Sequence, residues 1–388
     1  MKNNLLTTFS ILTIALTNYS CSKNDDQEIN TTITKKQVIE NYANIAFANY
    51  TDAYNDVVTL EIAITNFTTN PTLANLNIAK DKWKLARESY GTTEAFRFAD
   101  GPIDDVNGPE GLINSWPLDE NYIDYVNGAS TSGIINDPTS FPTINKDIIS
   151  GQNENGGEKN ICTGYHAIEF LLWGQDLTTP SANLPGQRPF TDYVIGGTAS
   201  NQARRAQFLN ACADLLTDNL LYIVNEWKIG GNYRNTFLAL NEEIALKNIY
   251  TGICTLVGAE LPIERMDVAL LNADQEDEHS CFSDNTHRDI ILNLQGAINI
   301  YNGTYGTING ASLKTLVKQV NEESYNQTLA SEILAQNKAN ALLTPFDLAI
   351  SGGLNSTEGA KVRAAVLQIK NYNSNLLSGA TKVGITVN

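Results

Sequence analysis

Histidine is scarce, with three in 388 residues, so any chemistry that needs imidazole can draw only on His166, His279 and His287. No second histidine follows His166 on its segment, and Phe170 stands where an H-x-x-E-H frame would need one. The familiar zinc-peptidase frames are therefore excluded, because each sets two imidazoles on one helix face. Cysteine is limited to five residues with no C-x-x-C pair. With Cys21 set aside, Cys162, Cys212, Cys254 and Cys281 read as buried free thiols ahead of disulfides, and a thiolate zinc site comes last. Gly151, Gly156 and Gly157 lack the lysine and strand context of a phosphate-binding loop, and no serine sits in a nucleophile elbow. Basic residues are outnumbered 26 to 43, leaving a net charge of −17. That balance excludes nucleic acid and an anionic membrane surface as partners and favours a cation.

No apolar run is long enough to span a bilayer as a helix. Leu5 to Leu16 is the most apolar stretch, and it has the length of a signal-peptide core between Met1-Lys2 and Asn18-Tyr19-Ser20-Cys21. A lone cysteine behind such a run, with small Ser20 before it, is similar to the lipobox of bacterial lipoproteins. Residues 1–21 are expected to be a signal peptide ending at lipidated Cys21, which would be the sole membrane attachment, and 22–33 a flexible tether.

Beyond the tether the chain is helical in period. Val38, Tyr42, Ile45, Asn49, Ala53, Val57, Leu60, Ile64 and Phe67 recur at three- and four-residue steps. Thr34 with Gln37 forms a capping box, and Pro71 bars continuation. Further helices are expected over 72–90, 161–173, 208–227, 237–260, 286–301, 313–337 and 358–377, with fraying after Ser378. The stretch 100–157, broken only by a short helix at 118–126, is long for a helical protein and is expected to cover part of a site. Residues 174–200 form a second irregular stretch. The fold expected is all-α, two side-by-side helical bundles with long irregular connections, divided into domains 34–190 and 191–388.

Two places could carry chemistry. In Gly164-Tyr165-His166-Ala167-Ile168-Glu169 a three-residue step puts His166 and Glu169 on one helix face, amid apolar neighbours. A buried carboxylate there needs a partner, which an imidazole, a metal ion or an arginine supplies. The bland reading is a structural pair that satisfies itself. The second place runs from Asp274 to His287 and holds the other two histidines together with Glu276, Asp277, Glu278 and Asp284. Its bland reading is a solvated acidic turn leading into a helix cap, its charge relieved by Arg265 and Arg288. Carboxylate oxygens suit hard divalent or ferric ions, and imidazole also suits zinc and iron.

These residues, with the Trp83 to Phe98 segment, Ser115-Trp116-Pro117-Leu118, Gly186-Gln187-Arg188-Pro189-Phe190 and Glu264-Arg265-Met266, resemble the imelysin family, also called the M75 peptidases. The likeness is to the lipoprotein kind found in Bacteroidetes-like bacteria. The family's G-x-H-x-x-E signature is met by Gly164, His166 and Glu169, and the series spans 34 to about 377, nearly the whole mature chain. The resemblance implies two helical bundles with a site in the cleft where they meet. It implies metal ligation by His166, Glu169, Asp277 and His279, and a lining of Trp83, Arg87, Trp116, Arg188, Ser280 and Asp284 for a bound group. The expected function is iron or other metal acquisition in the cell envelope, on the periplasmic or surface face of the outer membrane. The protein would bind a metal ion, iron or zinc, or a metal-bearing ligand, and work with an uptake partner in that membrane. The alternatives are a metallopeptidase using His166, Glu169, Glu276 and Asp277, and a non-catalytic structural or protein-binding module.

Overall fold

The computed structural model describes residues 32–387. The expected signal peptide, Cys21 and nearly all of the tether lie outside the described residues. Helix α1 (Lys35–Thr69) opens as its capping box dictates: the Gln37 amide donates to the Thr34 hydroxyl at 3.2 Å and the Gln37 side chain accepts from the Thr34 amide at 2.9 Å. Its whole expected stripe is buried, from Val38 to Phe67. After Pro71, Thr72 caps α2 (Leu73–Thr93), which packs along α1.

The next seventy residues carry only short pieces: α3 (Glu110–Ile113), α4 (Glu120–Ile123) and α5 (Lys146–Gln152). The helix expected over 118–126 is thus a single turn. Helix α6 (Gly164–Trp173) buries all ten of its residues. That is the fate of a helix apolar all round, and it forces His166 and Glu169 into the interior. After the irregular stretch come α7 (Gln202–Trp227) and α8 (Asn232–Ala239). Helices α1, α2, α6 and α7 form the first bundle. Helix α7 lies along α1, and α8 packs on both.

The second bundle begins with α9 (Glu242–Thr255), which runs directly into a π-helical segment (Leu256–Asp267) and α10 (Val268–Asn272). The helix expected over 237–260 is split at Leu240-Asn241, where Asn241 caps α9. Helix α11 (Thr286–Asn302) follows the acidic turn, and a small hairpin, β1 (Thr304–Tyr305) with β2 (Ile308–Asn309), leads into α12 (Leu313–Val320). Asn321 ends α12 and caps α13 (Glu322–Asn340), dividing the helix expected over 313–337. Helix α14 (Phe346–Ile350) precedes α15 (Thr357–Lys382), which does not fray after Ser378. Gly379 and Ala380 are buried, with Gly379 backed onto Val317, so packing overrides the small-residue composition. The π segment, α11, α13 and α15 pack together, and α2 against α11 joins the bundles. All four described cysteines are free and buried, as expected.

Close approach at that joint depends on glycine. A Cβ on Gly296 of α11 would lie 2.4 Å from the Thr92 carbonyl oxygen of α2, and one on Gly91 would lie 2.7 Å from Leu292 Cβ. The two missing side chains let the helices cross with Arg87 of α2 facing Asp289 of α11.

Candidate functional site

At the start of α6 the backbone is set by Gly164, whose φ is +76° and whose added Cβ would sit 2.3 Å from the Ile113 carbonyl oxygen. No other residue fits there without moving the loop behind it. Two residues on, His166 Nδ1 meets Glu169 Oε2 at 3.0 Å, the expected one-turn pair. Glu169 Oε1 accepts from both the backbone amide and the hydroxyl of Ser283, at 2.9 and 2.7 Å. The acidic turn therefore docks on α6 through Ser283, and Phe282 packs on Phe170 with ring centroids 5.3 Å apart.

The same turn delivers a second dyad. His279 Nδ1 meets Asp289 Oδ2 at 2.9 Å, and that oxygen also accepts from the Ser280 hydroxyl at 2.5 Å. The other oxygen, Oδ1, takes Arg87 Nη2 at 2.8 Å and Nε at 3.3 Å. The imidazoles of His166 and His279 stand edge to face, centroids 4.6 Å apart, and Trp116 lies 5.7 Å from His279. Each ring is thus held by a carboxylate at Nδ1, the arrangement that orients histidines whose other nitrogen does the work. His166 Nε2 is buried and has no hydrogen-bond partner.

Polar contacts continue without a break from this pair. Arg87 Nη1 donates to Asn114 at 2.6 Å, Asn114 to Glu94 at 3.3 Å, and Arg265 to Glu94 at 2.7 Å and Glu260 at 3.1 Å. Arg265 also binds Asn293, which donates to the Gly91 carbonyl at 2.9 Å. Glu260 and Arg265 are five residues apart, and the wider turn of the π helix is what sets them over one another. A cavity of about 230 Å³ opens against this chain of charges, walled by Arg97, Glu110, Trp116, Glu260, Arg265 and His279. Trp116 comes from the long irregular stretch, which supplies part of this cavity's wall.

Charge states follow from burial. Desolvation holds His166 well below the usual imidazole range, and His279 and Arg87 push the same way. His279 is lowered to about 4, mainly by burial and then by Arg265. Both rings are neutral at neutral pH. Burial raises Glu169 to about 8 against the lowering effect of Ser283. Asp289 stays far below its ordinary range despite burial, because Arg87 and His279 favour its charge. Arg265 and Arg97 likewise outweigh burial at Glu94 and lower it to about 2. Glu110 is raised to about 7 by burial.

The structure brings His166, Glu169, His279, Ser280, Arg87 and Trp116 to one place, with Trp83 behind them donating its indole N–H to the Tyr165 carbonyl at 2.9 Å. It does not bring in the acidic end of the turn. Asp277 accepts from Asn272 at 2.7 Å in its own turn, and Glu276 is exposed toward Glu120 and Asp176, which help raise it to about 7. Neither meets His166: Asp274 and Glu276 stay exposed and Asp277 is half-buried in its own turn, while Glu278, the last acid of the segment, turns inward and is buried away from the paired histidines. Asp284 adopts a left-handed φ of 57° and faces Asp347 and Asp176. Arg188 belongs to another network, with Asp124 and Asp192, and lines a different cavity. Among the described residues, no group of three or more His, Cys, Asp and Glu is placed to hold a metal ion. The sequence reading missed Asp289, Ser283, Asn114, Glu110 and Asn293. Asp289 alone left a trace, as an acid in the first turn of a helix next to two histidines.

Comparison with known proteins bears on the same residues. The family model described as Imelysin, peptidase M75, matches residues 46–376. The chain belongs to the imelysin family. A protein of Synechococcus elongatus named iron-regulated protein A is 26% identical over 268 residues, 69% of this chain; the match spans 64% of that relative's length. A crystal structure of an iron-regulated protein A precursor from Parabacteroides distasonis shares the fold at a TM-score of 0.67 and 18% identity, covering 90% of this chain and 97% of its own. An imelysin-like protein from Psychrobacter arcticus aligns at 0.62 and 11% identity, over 92% and 98% of the two chains. The imelysin match includes both dyads. No helix among the described residues is long and apolar enough to cross a membrane.

Proposed function

We propose that this imelysin is a lipoprotein of the cell envelope that serves iron or other metal acquisition, and that its cavity beside His279 receives a metal-bearing ligand. The observation that carries the reading is the pair of neutral imidazoles, each oriented by a carboxyl group at Nδ1, one of them with a buried Nε2 that no group among the described residues satisfies. Leaving such an atom unpaired costs about 1–3 kcal/mol, a cost that a bound partner would remove. Because no third ligand stands with the two rings among the described residues, the cargo must bring most of its own coordination, which favours a chelated metal over a bare ion. Arg97 and Arg265 share the cavity wall with Glu110, Glu260 and Glu264 and keep their Nε groups unpaired among the described residues, so they offer hydrogen-bond donors to a chelate's oxygens rather than an excess of positive charge. The name borne by the Synechococcus relative, iron-regulated protein A, supports iron as the metal.

Calorimetric titration with ferric nitrilotriacetate, and with nitrilotriacetate alone, tests this. Wild-type protein is expected to bind the ferric chelate more tightly than the free chelator, and H166A/E169A to lose that preference while keeping its helical circular dichroism. Equal affinity for the two probes, or a preference untouched by the double substitution, contradicts it.

A further inference from the structure

A cavity of about 640 Å³ lies beside Arg188, whose guanidinium stacks on Phe170. It shares no lining residue with the first cavity. Its size is that of a small-molecule pocket. Nothing in the function proposed above uses it.

Its charge runs against the rest of the molecule. In a chain of net charge −17, none of the described residues that line this cavity is acidic, and Arg188 is its one charged side chain. Arg188 is buried and held rigidly. Its guanidinium lies 5.0 Å from the ring centres of both Tyr125 and Phe170, and its backbone amide donates to the Trp173 carbonyl at 2.7 Å. Among the described residues its side-chain bonds all leave from Nη1, to Asp124 at 2.7 Å and Asp192 at 3.4 Å, while Nε has no acceptor. Arg205 also binds Asp124, through Nε at 2.6 Å and Nη2 at 2.8 Å. Two arginines thus face two aspartates, and the anchoring acids are already neutralised behind the wall. Lys80, half-buried beside Arg188, adds a further positive charge.

The remaining walls are amide and apolar. Gln175, Gln187 and Asn127 supply neutral polar groups, Tyr125 a ring, and Leu177 an aliphatic side chain that is 65% exposed at the mouth. A guanidinium with unspent donors pairs best with a planar carboxylate, and the Leu177 and Tyr125 surfaces suit an apolar body. We propose that this cavity is a second ligand site, specific for a small organic carboxylate with an apolar body, in which Arg188 binds the carboxylate and Leu177 and Tyr125 cover the rest.

Saturation-transfer NMR on the full described chain, with para-toluate and para-toluamide as probes, tests the site. The carboxylate is expected to bind about tenfold more tightly than the amide, the margin between a charge-assisted and a neutral hydrogen bond. R188M should erase that margin, but it also removes one of the two arginines that hold Asp124, so L177D serves as the folding-safe variant. Placed at the exposed mouth, its carboxylate should weaken para-toluate about tenfold and change para-toluamide little. H166A/E169A should leave both affinities unchanged, which separates this site from the first. Equal binding of the two probes, no binding to folded protein, or para-toluate binding that L177D does not weaken overturns the proposal.

Discussion

Asp289 accepts from Arg87, His279 and Ser280 at once, and every one of these groups is buried. Removing one member of such a set leaves a charge with no water to turn to, at a cost of about 3–5 kcal/mol. R87M and D289N are each expected to destabilise by that much in urea denaturation. The R87M/D289N double variant should cost clearly less than the sum; additivity within about 0.5 kcal/mol would mean the two residues do not act as a pair. Half of this arrangement could be read from the sequence. His166 and Glu169 are one helical turn apart in an apolar run, so their pairing is a matter of period. His279 and Asp289 are ten residues apart across a turn, and no period links them. The same gap explains why Asp277 looked like a ligand: a cluster of acids signals charge but not which member turns inward, and the acid that meets His279 is Asp289 in the next helix.

Element geometry decides whether the two dyads meet at all. Gly164 starts α6 at a φ that other residues adopt at a cost of about 1–2 kcal/mol, against a carbonyl that leaves no room for Cβ. G164A is therefore expected to destabilise by at least about 2 kcal/mol and to displace His166, seen as a shifted imidazole resonance in NMR spectra; an unshifted resonance with unchanged stability would contradict it. At the joint of the bundles, G296A should push α11 off α2 and separate Arg87 from Asp289. The expected readout is a lower Tm that R87M no longer lowers further; two losses that simply add would show the crossing and the ion pair to be independent. The long helices were legible because α1, α2, α7, α11 and α15 carry plain apolar stripes, with side-chain caps at α1, α2 and α15, and because α6 is apolar all round. The breaks at Asn241 and Asn321 were not, since both asparagines sit inside continuing apolar periods and act only as caps. The π segment has no sequence period of its own, so the five-residue pairing of Glu260 with Arg265 had to be seen.

For the molecule as a whole, buried carboxylates pull stability in two directions with pH. Glu94, lowered to about 2 from an ordinary 4.5, contributes stability that is present above about pH 4.5 and lost as pH falls toward 2. Glu169 is raised to about 8 and Glu110 to about 7, in both cases by burial. Their contribution is complete below the ordinary carboxylate range and lost as pH rises through 7 and 8, where the net charge also grows more negative. Scanning calorimetry should find the highest Tm near about pH 5, with declines on both sides; a Tm still rising between about pH 6 and 8 would contradict these assignments. The function proposed above rests on the turn before α11 setting His279, which stands against His166 of α6, on the wall of one polar cavity. Anomalous scattering at the iron edge, from crystals soaked in ferric nitrilotriacetate, tests that claim most directly. The account predicts a peak in the cavity walled by Trp116 and His279, with an imidazole nitrogen of His166 or His279 about 2 Å away. Iron bound only outside that cavity, or none in crystals whose cavity is open to solvent, would contradict it.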